Sequence, residues 1–467
     1  MSDAFDVAVI GAGVVGAAVA RALSAFELRT VLIEAGPDVG TGTSKANTAI
    51  LHTGFDAAPG SMEARLVARG YALMTAYAAE VGIPVEKTGA VLVAWSEEEA
   101  LQLPVIEEKA AANGCRDLRG LSADELYAME PHLGPGARAG LLIPGEGIVC
   151  PFTAPLAMAT EAVVNGVELR LDRRVTSMES DGSVHVLGCG TDAIAARYVV
   201  NAAGLQADTI EGLFGRHRFR IKPRRGELIV YDKMARRLLS HVLLPVPTKK
   251  TKGVLVAPTV FGNVLLGPTA TDIDDKEDRS TTREGLEYVV AKGGRILPAL
   301  VNEEVTATYA GLRAATESSD YQIHFDPVLR YLCLGGIRST GLSASLGIAE
   351  HAVELLAGPL PMTLKRDRKK VRMPPVGEDM VRAYADAALI ARDPEYGRVV
   401  CHCERVTAGE IRDALRSPVP ARGLEGLRRR TRCLQGRCQG FYCLGRLVLL
   451  VAQETGRPAS AFLEALA

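Results

Sequence analysis

The stretch "DVAVIGAGVVGAAVARAL", Asp6 to Leu23, reads as a short buried strand, a turn with glycines at 11, 13 and 16, and a helix opening directly behind them. A second apolar run, "RTVLIE", follows and ends on Glu34. The three glycines act separately. Gly11 permits the tight turn, Gly13 lets the backbone approach a pyrophosphate, and Gly16 lets the helix pack close to the strand. The helix N-terminus favours phosphate charge, and an acid at the end of the second strand accepts hydrogen bonds from an adenosine ribose. Three glycines alone are a weak signal, because small residues at such a turn also serve packing. Strand, helix, second strand and terminal acid in register specify a dinucleotide site.

Further segments point to FAD rather than NAD, as does the position of the motif at the extreme N-terminus. "GTGTSKANTAILHTGF", residues 40–55, is rich in small hydroxyl and amide side chains suited to a ribityl chain and a flavin edge. "ARYVVNAAGLQAD" is a strand ending in a turn at Asn201 to Gly204 that can pass close to the nucleotide. "YLCLGGIRSTGLSASLGIAEHAVELL" is another strand, a glycine-rich turn at Gly335 to Gly341, and a helix whose first amides can face the pyrimidine edge of a flavin, where reduction deposits negative charge.

At 467 residues the chain is too long for one ordinary domain and has material for two or three cores. Its 54 basic and 55 acidic residues leave a net charge of -1, which removes any general electrostatic case for nucleic acid or an anionic membrane surface. No apolar run approaches the roughly 20 residues of a spanning helix; peripheral membrane association stays compatible with the sequence. Nine cysteines in a large chain without a secretory start predict reduced thiols and a cytoplasmic location. The segment 357–377, "AGPLPMTLKRDRKKVRMPPVG", is proline-punctuated and basic, and reads as a tether whose Lys and Arg are solvated.

Beyond that tether, "VVCHCE" supplies Cys401 and Cys403, and "TRCLQGRCQGFYC" supplies Cys433, Cys438 and Cys443. Four thiolates satisfy either tetrahedral zinc or an iron-sulfur cluster, and C-x-C with C-x4-C is a spacing of the iron-sulfur style. Gly436 and Gly440 flank Cys438, so that loop can turn sharply and aim backbone N–H groups at sulfur, while Cys443 starts an apolar helix. The basic run Arg428 to Arg432 reads either as an offset to cluster charge or as a solvated helix face. "TAGEIRDAL" predicts a short helix capped by Thr407 with Glu410 three residues on.

Together, "VIGAGVVG", "ANTAILHTGFDAAPGSMEARL", "YAGLRAATE", "GIRSTGLSASLGIAEHAVELL" and the cysteine motif resemble the D-amino-acid oxidase superfamily of flavoproteins. The similarity is to FAD-dependent glycerol-3-phosphate dehydrogenases of the anaerobic iron-sulfur type and to L-2-hydroxyglutarate oxidases, with a C-terminal part similar to bacterioferritin-associated ferredoxin. The resemblance implies an α/β and α+β fold: a Rossmann-like FAD-binding layer interleaved with an antiparallel substrate sheet, plus a small helical iron-sulfur module. The expected units are 1–358 for the FAD-dependent oxidoreductase, 359–394 for a linker and 395–467 for the 2Fe-2S domain. The family pattern assigns the cluster to Cys401, Cys403, Cys438 and Cys443 and leaves Cys433 spare. FAD contacts are expected from Gly11, Gly13, Val14, Val15, Gly16, Glu34, Ala35, Thr43, Ser44, Asn47, Thr48, Val175, Ala203, Gly204, Gly336, Arg338, Ser339, Thr340, Gly341, Leu342 and Ser343.

A flavin beside a one-electron cluster is a converter, accepting a pair of electrons and releasing them singly, so a dehydrogenase is expected with a small hydroxylated substrate such as sn-glycerol 3-phosphate. The electrons would leave for an accepting protein or a second flavoprotein subunit, in an oligomer or complex. His52 matches a family histidine and is expected to take or orient the hydroxyl proton. Arg313, in "GLR", matches the arginine that binds the substrate anion, and Arg338 would add positive charge near flavin and substrate. Arg225 reads as structural, and His185 and His241 as ordinary residues. One departure stands out. Asp56 lies where glycerol-3-phosphate dehydrogenases carry a phosphate-binding arginine, and a carboxylate there opposes a phosphate. A 2-hydroxy acid or a neutral polyol therefore stays open as substrate, and beside these stand two other readings: an amine or imino-acid dehydrogenase, and an electron-transfer subunit with no substrate of its own.

Overall fold

The computed structural model describes residues 4–247 and 253–463. Its organising layer is a parallel arrangement built from the apolar runs singled out above. β1 (Phe5–Ile10) lies between β2 (Thr30–Ile33) and the strand Asp192–Asn201. Glu168–Arg170 extends the layer beyond β2, and Tyr331–Gly335 extends it beyond Asn201, all in parallel register. Both faces of a parallel layer are covered, so its strands are apolar throughout rather than alternating; Val7, Ala8 and Val9 in β1 are fully buried. α1 (Val14–Leu23) packs on this layer beside the helix Gly341–Ala357. The close approach depends on Gly16, where an added Cβ would sit 1.8 Å from the carbonyl oxygen of Gly11, and Gly11 itself has φ +100° with no room for a side chain against Ala202.

The second layer is a nine-stranded mixed sheet whose longest pairing, at one end of the strand order, is the antiparallel pair Lys222–Tyr231 and Val305–Ala315. Side chains alternate across such strands. Arg224, Gly226 and Leu228 therefore face the first layer, while Arg225 faces away to pair with Asp278 and the Glu227 carboxylate accepts from Thr282 Oγ1. Chain segments pass repeatedly between the two sheets, so the two layers form one interleaved unit.

The linker is docked along its backbone rather than hanging as a free tether. Lys365 N donates to Ala25 O, Met373 N to Val81 O and Glu378 N to Val260 O, while Lys369 N bonds Asn165 Oδ1. Lys370 pairs with Glu80 at 2.7 Å. The segment is a strap laid along the oxidoreductase unit because its backbone amides find acceptors there, while Arg366, Arg368, Lys369, Lys370 and Arg372 stay exposed, as expected of them. Beyond it, the C-terminal module is a two-stranded ribbon, Val399–Cys401 with Val406–Thr407, followed by helices Ala408–Arg416, Leu424–Thr431 and Leu444–Thr455. The predicted capping box is present: Thr407 Oγ1 accepts from Glu410 N, and the Glu410 carboxylate accepts from Thr407 N. Such a cap stabilises a short helix by about 1 kcal/mol.

Candidate active site and thiol centre

Between the carboxyl ends of the parallel strands and the inner face of the second sheet lies a cavity of about 1040 Å³, the place where open α/β sheets bind ligands. Gly11, Gly13, Val14, Val15, Glu34 and Ala35 line one end, and Thr43, Ser44, Asn47 and Thr48 run along it. Val175, Ala203, Gly204, Gly336, Arg338, Ser339, Gly341 and Leu342 complete the walls, with His52 and Arg313 facing the same space.

Three residues expected to contact FAD do not line this cavity. Gly16 is spent on packing α1 against the turn. Thr340 is buried, its hydroxyl bonded to Tyr321 Oη and to Glu63 Oε1, each at 2.6 Å. Ser343 is turned inward, where its Oγ accepts from His52 N at 2.8 Å. Several polar atoms along the wall also have internal partners. Val14 N donates to Ser44 Oγ at 2.9 Å, Thr43 Oγ1 to Leu312 O and Asn47 Nδ2 to Ser44 O, each at 2.8 Å. Glu34 accepts from Ala12 N at 2.7 Å and Gly36 N at 2.8 Å. Burial raises its carboxyl above the usual range against the pull of those amides, and each oxygen keeps a lone pair for a ribose hydroxyl.

His52 sits just beyond the short strand Ile50–Leu51. Its backbone is fixed by Ser343, and its Nδ1 lies 3.0 Å from Oε2 of Glu146, whose side chain is wholly buried. The other carboxylate oxygen of Glu146 accepts from Thr53 N at 2.7 Å and Thr53 Oγ1 at 2.8 Å. Glu146 carries no sequence motif and went unpredicted.

Opposite is a group of guanidinium ions. Arg313 is part-buried, with its basicity pushed down to about 10 by burial and by the positive charges of Arg224 and Arg338. A cation disfavoured in this way gains most from an arriving anion. Arg224 stands directly across the strand pair from Arg313 and lines the cavity, bonded to Asp272 at 2.6 and 3.0 Å. Arg338 Nη1 donates to Ser319 O. Arg224 also went unpredicted, although alternation from Gly226 points it inward. Arg225 faces the other way and pairs with Asp278 at 2.8 Å. His185 bonds Leu329 O and His241 bonds Glu130, both away from the cavity lining. Asp56 lines the cavity, and its carbonyl oxygen accepts from Lys109 Nζ.

In the C-terminal module Cys401 lies beside Cys443, and Cys403 beside Cys438. Among the described residues no three His, Cys, Asp or Glu side chains converge on a single point. Two thiol pairs suit a two-iron centre with two thiolates on each iron. Backbone amides are aimed at these sulfurs: Glu404 and Leu434 at Cys401, and Tyr442 and Gly440 at Cys438. Left-handed residues Arg405, Arg432, Leu434, Gln439 and Gly440 shape the loops that aim them. Gly436 passes so close to Cys403 that a side chain would meet its Cβ at 2.4 Å. Cys433 is fully buried in the module core, its thiol pushed up to about 12 by burial.

The arginine run does not form a solvated face, since Arg429, Arg430 and Arg432 are buried. Arg430 grips Asp38 in the loop after β2 with bonds of 2.6 and 2.7 Å, and Arg429 adds a third at 2.7 Å. Arg432 stacks on Phe261, 3.9 Å from the ring centre, and pairs with Glu404, while Arg428 pairs with Glu425. Buried guanidinium groups need carboxylate partners, and the first unit supplies Asp38. As a result Glu425 and Arg429 of the C-terminal module line the cavity themselves.

The sequence matches the family model described as FAD dependent oxidoreductase over residues 6–355. The chain belongs to this family. Residues 399–453 match the BFD-like [2Fe-2S] binding domain, so this FAD-dependent oxidoreductase carries both FAD and a 2Fe-2S centre. It is 35% identical over 458 residues to a glycerol 3-phosphate dehydrogenase of Caloramator mitchellensis, covering 97% of this chain and 95% of that protein. It is 33% identical to a glycerol 3-phosphate oxidase of Mycoplasma pneumoniae, covering 75% of this chain and 94% of the oxidase. The FAD-bound, dithionite-reduced structure of L-alpha-glycerophosphate oxidase from Mycoplasma pneumoniae superposes with a TM-score of 0.75 at 30% identity, over 80% of this chain and 99% of that one. No described helix of the oxidoreductase is long and apolar enough to cross a membrane.

Proposed function

We propose that this oxidoreductase is a dehydrogenase of sn-glycerol 3-phosphate that sends electrons through the C-terminal 2Fe-2S centre to a protein acceptor. The observation that carries the reading is the part-buried Arg313 facing the cavity with Arg224 and Arg338 adding to its field. A phosphate dianion placed there relieves repulsion among three guanidinium groups, and Arg forks match its oxygens. Asp56 shares the cavity; with three arginines available, phosphate binding does not depend on an arginine at that position. His52 takes the hydroxyl proton while the arginines fix the anionic end, so that the C–H bond is held in one orientation. When bound, FAD supplies the hydride acceptor and the cluster a one-electron outlet. Cys401, Cys403, Cys438 and Cys443 would hold the cluster.

Dehydrogenase is preferred to oxidase because the Mycoplasma oxidase is matched over nearly its whole length yet leaves a quarter of this chain without a counterpart. The dehydrogenase of Caloramator is matched over 95% of its length and 97% of this chain. The test is anaerobic bleaching of the flavin absorbance by a panel of sn-glycerol 3-phosphate, L-2-hydroxyglutarate, glycerol, glycine and L-proline. Rapid bleaching by the phosphate alone is expected. Bleaching by the hydroxy acid or an amine alone would redirect the assignment, and no bleaching by any would support an electron-transfer subunit.

A further inference from the structure

We propose that Glu146 is a positioning residue that sets the tautomer and raises the basicity of His52. The inference rests on the reading of His52 as the proton acceptor, and deepens it. Glu146 lies in the turn before the short strand Gly147–Val149, fully buried, with one oxygen held by two donors from Thr53 and the other 3.0 Å from His52 Nδ1. With one oxygen so anchored, the other stands 3.0 Å from Nδ1 but out of line with it, and a small rotation of the ring closes an N–H···O bond between them. That bond keeps the hydrogen on Nδ1 and makes Nε2 the ring's acceptor. During turnover the O–H bond of the substrate breaks and an N–H bond forms at Nε2, the new positive charge being stabilised by Glu146. The carboxylate itself gains no proton.

The other titratable groups near Glu146 do not take over this role. Tyr71, on the helix Met62–Val81, donates to Gly145 O at 2.6 Å, and burial together with Glu146 pushes its phenol upward. Cys115 is pushed upward mainly by burial, and Asp117 stands beyond both. Asp56 shares the loop of His52 and lines the cavity. Tyr71 and Cys115 are therefore neutral near pH 7, and Glu146 is the carboxylate within hydrogen-bond distance of the ring nitrogen.

Glu146→Gln keeps the size of the side chain and an oxygen for Thr53, but turns an NH2 toward Nδ1. The imidazole proton must then move to Nε2, where it blocks proton acceptance. In the FAD-loaded holoenzyme reduced anaerobically with sn-glycerol 3-phosphate, the expected result is a fall of kcat by roughly 10²- to 10⁴-fold, the scale of a lost general base, with KM within about threefold. His52→Gln should show the same loss, the double variant no further loss, and Glu146→Asp a partial recovery. In parallel, the pH dependence of carbethoxylation at His52, read by mass spectrometry, should show its titration falling by about one pH unit or more in Glu146→Gln. Unaltered kcat in Glu146→Gln where His52→Gln is slow overturns the proposal, as does an unaltered His52 titration. Failure of His52→Gln to slow reduction would instead remove the base reading. The titration needs no substrate and judges the pair by itself.

Discussion

Asp38 holds the iron-sulfur module to the flavin unit, and replacing it tests how firmly. Asp38→Ala removes the acceptor of three charge-assisted bonds, at 2.6, 2.7 and 2.7 Å, and strands Arg429 and Arg430 in a buried interface. Breaking a buried ion pair from one side costs about 3–5 kcal/mol. The low end applies, because Arg430 keeps the carbonyls of Val419 and Gly426. About 3 kcal/mol is roughly a hundredfold in the docking equilibrium. Hydrogen exchange of the helix Leu424–Thr431, followed by mass spectrometry, should accelerate by that factor while β1 and β2 remain protected. Acceleration below threefold would refute the assignment of Asp38 as the anchor. The pH dependence has a definite sign. Burial would raise the Asp38 carboxyl, but Arg430 and Arg429 outweigh it and hold it below its ordinary value of 3.8. A depressed folded value means the anchor is complete above about pH 3.8 and is lost as pH falls through the folded value. Docking should therefore be insensitive to this group between pH 5 and pH 8.

Three further outcomes are expected. Arg313→Met should raise KM for sn-glycerol 3-phosphate by about a hundredfold or more, since charged hydrogen bonds contribute roughly 1.5–3 kcal/mol each; Arg225→Met, measured beside it in steady-state kinetics, should leave KM nearly unchanged and lower only the melting temperature. Cys438→Ser should abolish the EPR signal of the reduced cluster, while Cys433→Ala spares it and is read out in thermal unfolding as a modest cavity penalty. Gly16→Ala, whose Cβ would meet Gly11 O at 1.8 Å, should lower both melting temperature and FAD content by displacing α1; wild-type FAD occupancy in that variant would contradict the packing argument.

What the sequence revealed follows the range of its signals. The β1-turn-α1 unit, the Thr407 cap and the grouping of thiols were legible because each is written in residues a few positions apart, where glycine sterics and capping chemistry act. Arg224 was within reach, since alternation along its strand places it on the face of Gly226, but the adjacent Arg225 obscured it. Glu146 was not legible: a glutamate between two glycines has no local signature, and its partner Thr53 is 93 residues away. The arginine run misled for the same reason. Five cationic or polar positions in a row read as surface until Asp38, 391 residues from Arg429, arrives to neutralise them. The linker was read from composition, which reports charge but not the acceptors waiting along another unit.

Because Glu425 and Arg429 form part of the cavity wall, that wall is finished only when nearly the entire polypeptide has left the ribosome. A nascent chain ending before residue 424 would offer the nucleotide an open-sided groove, and the last helices would then fold down beside whatever occupies it.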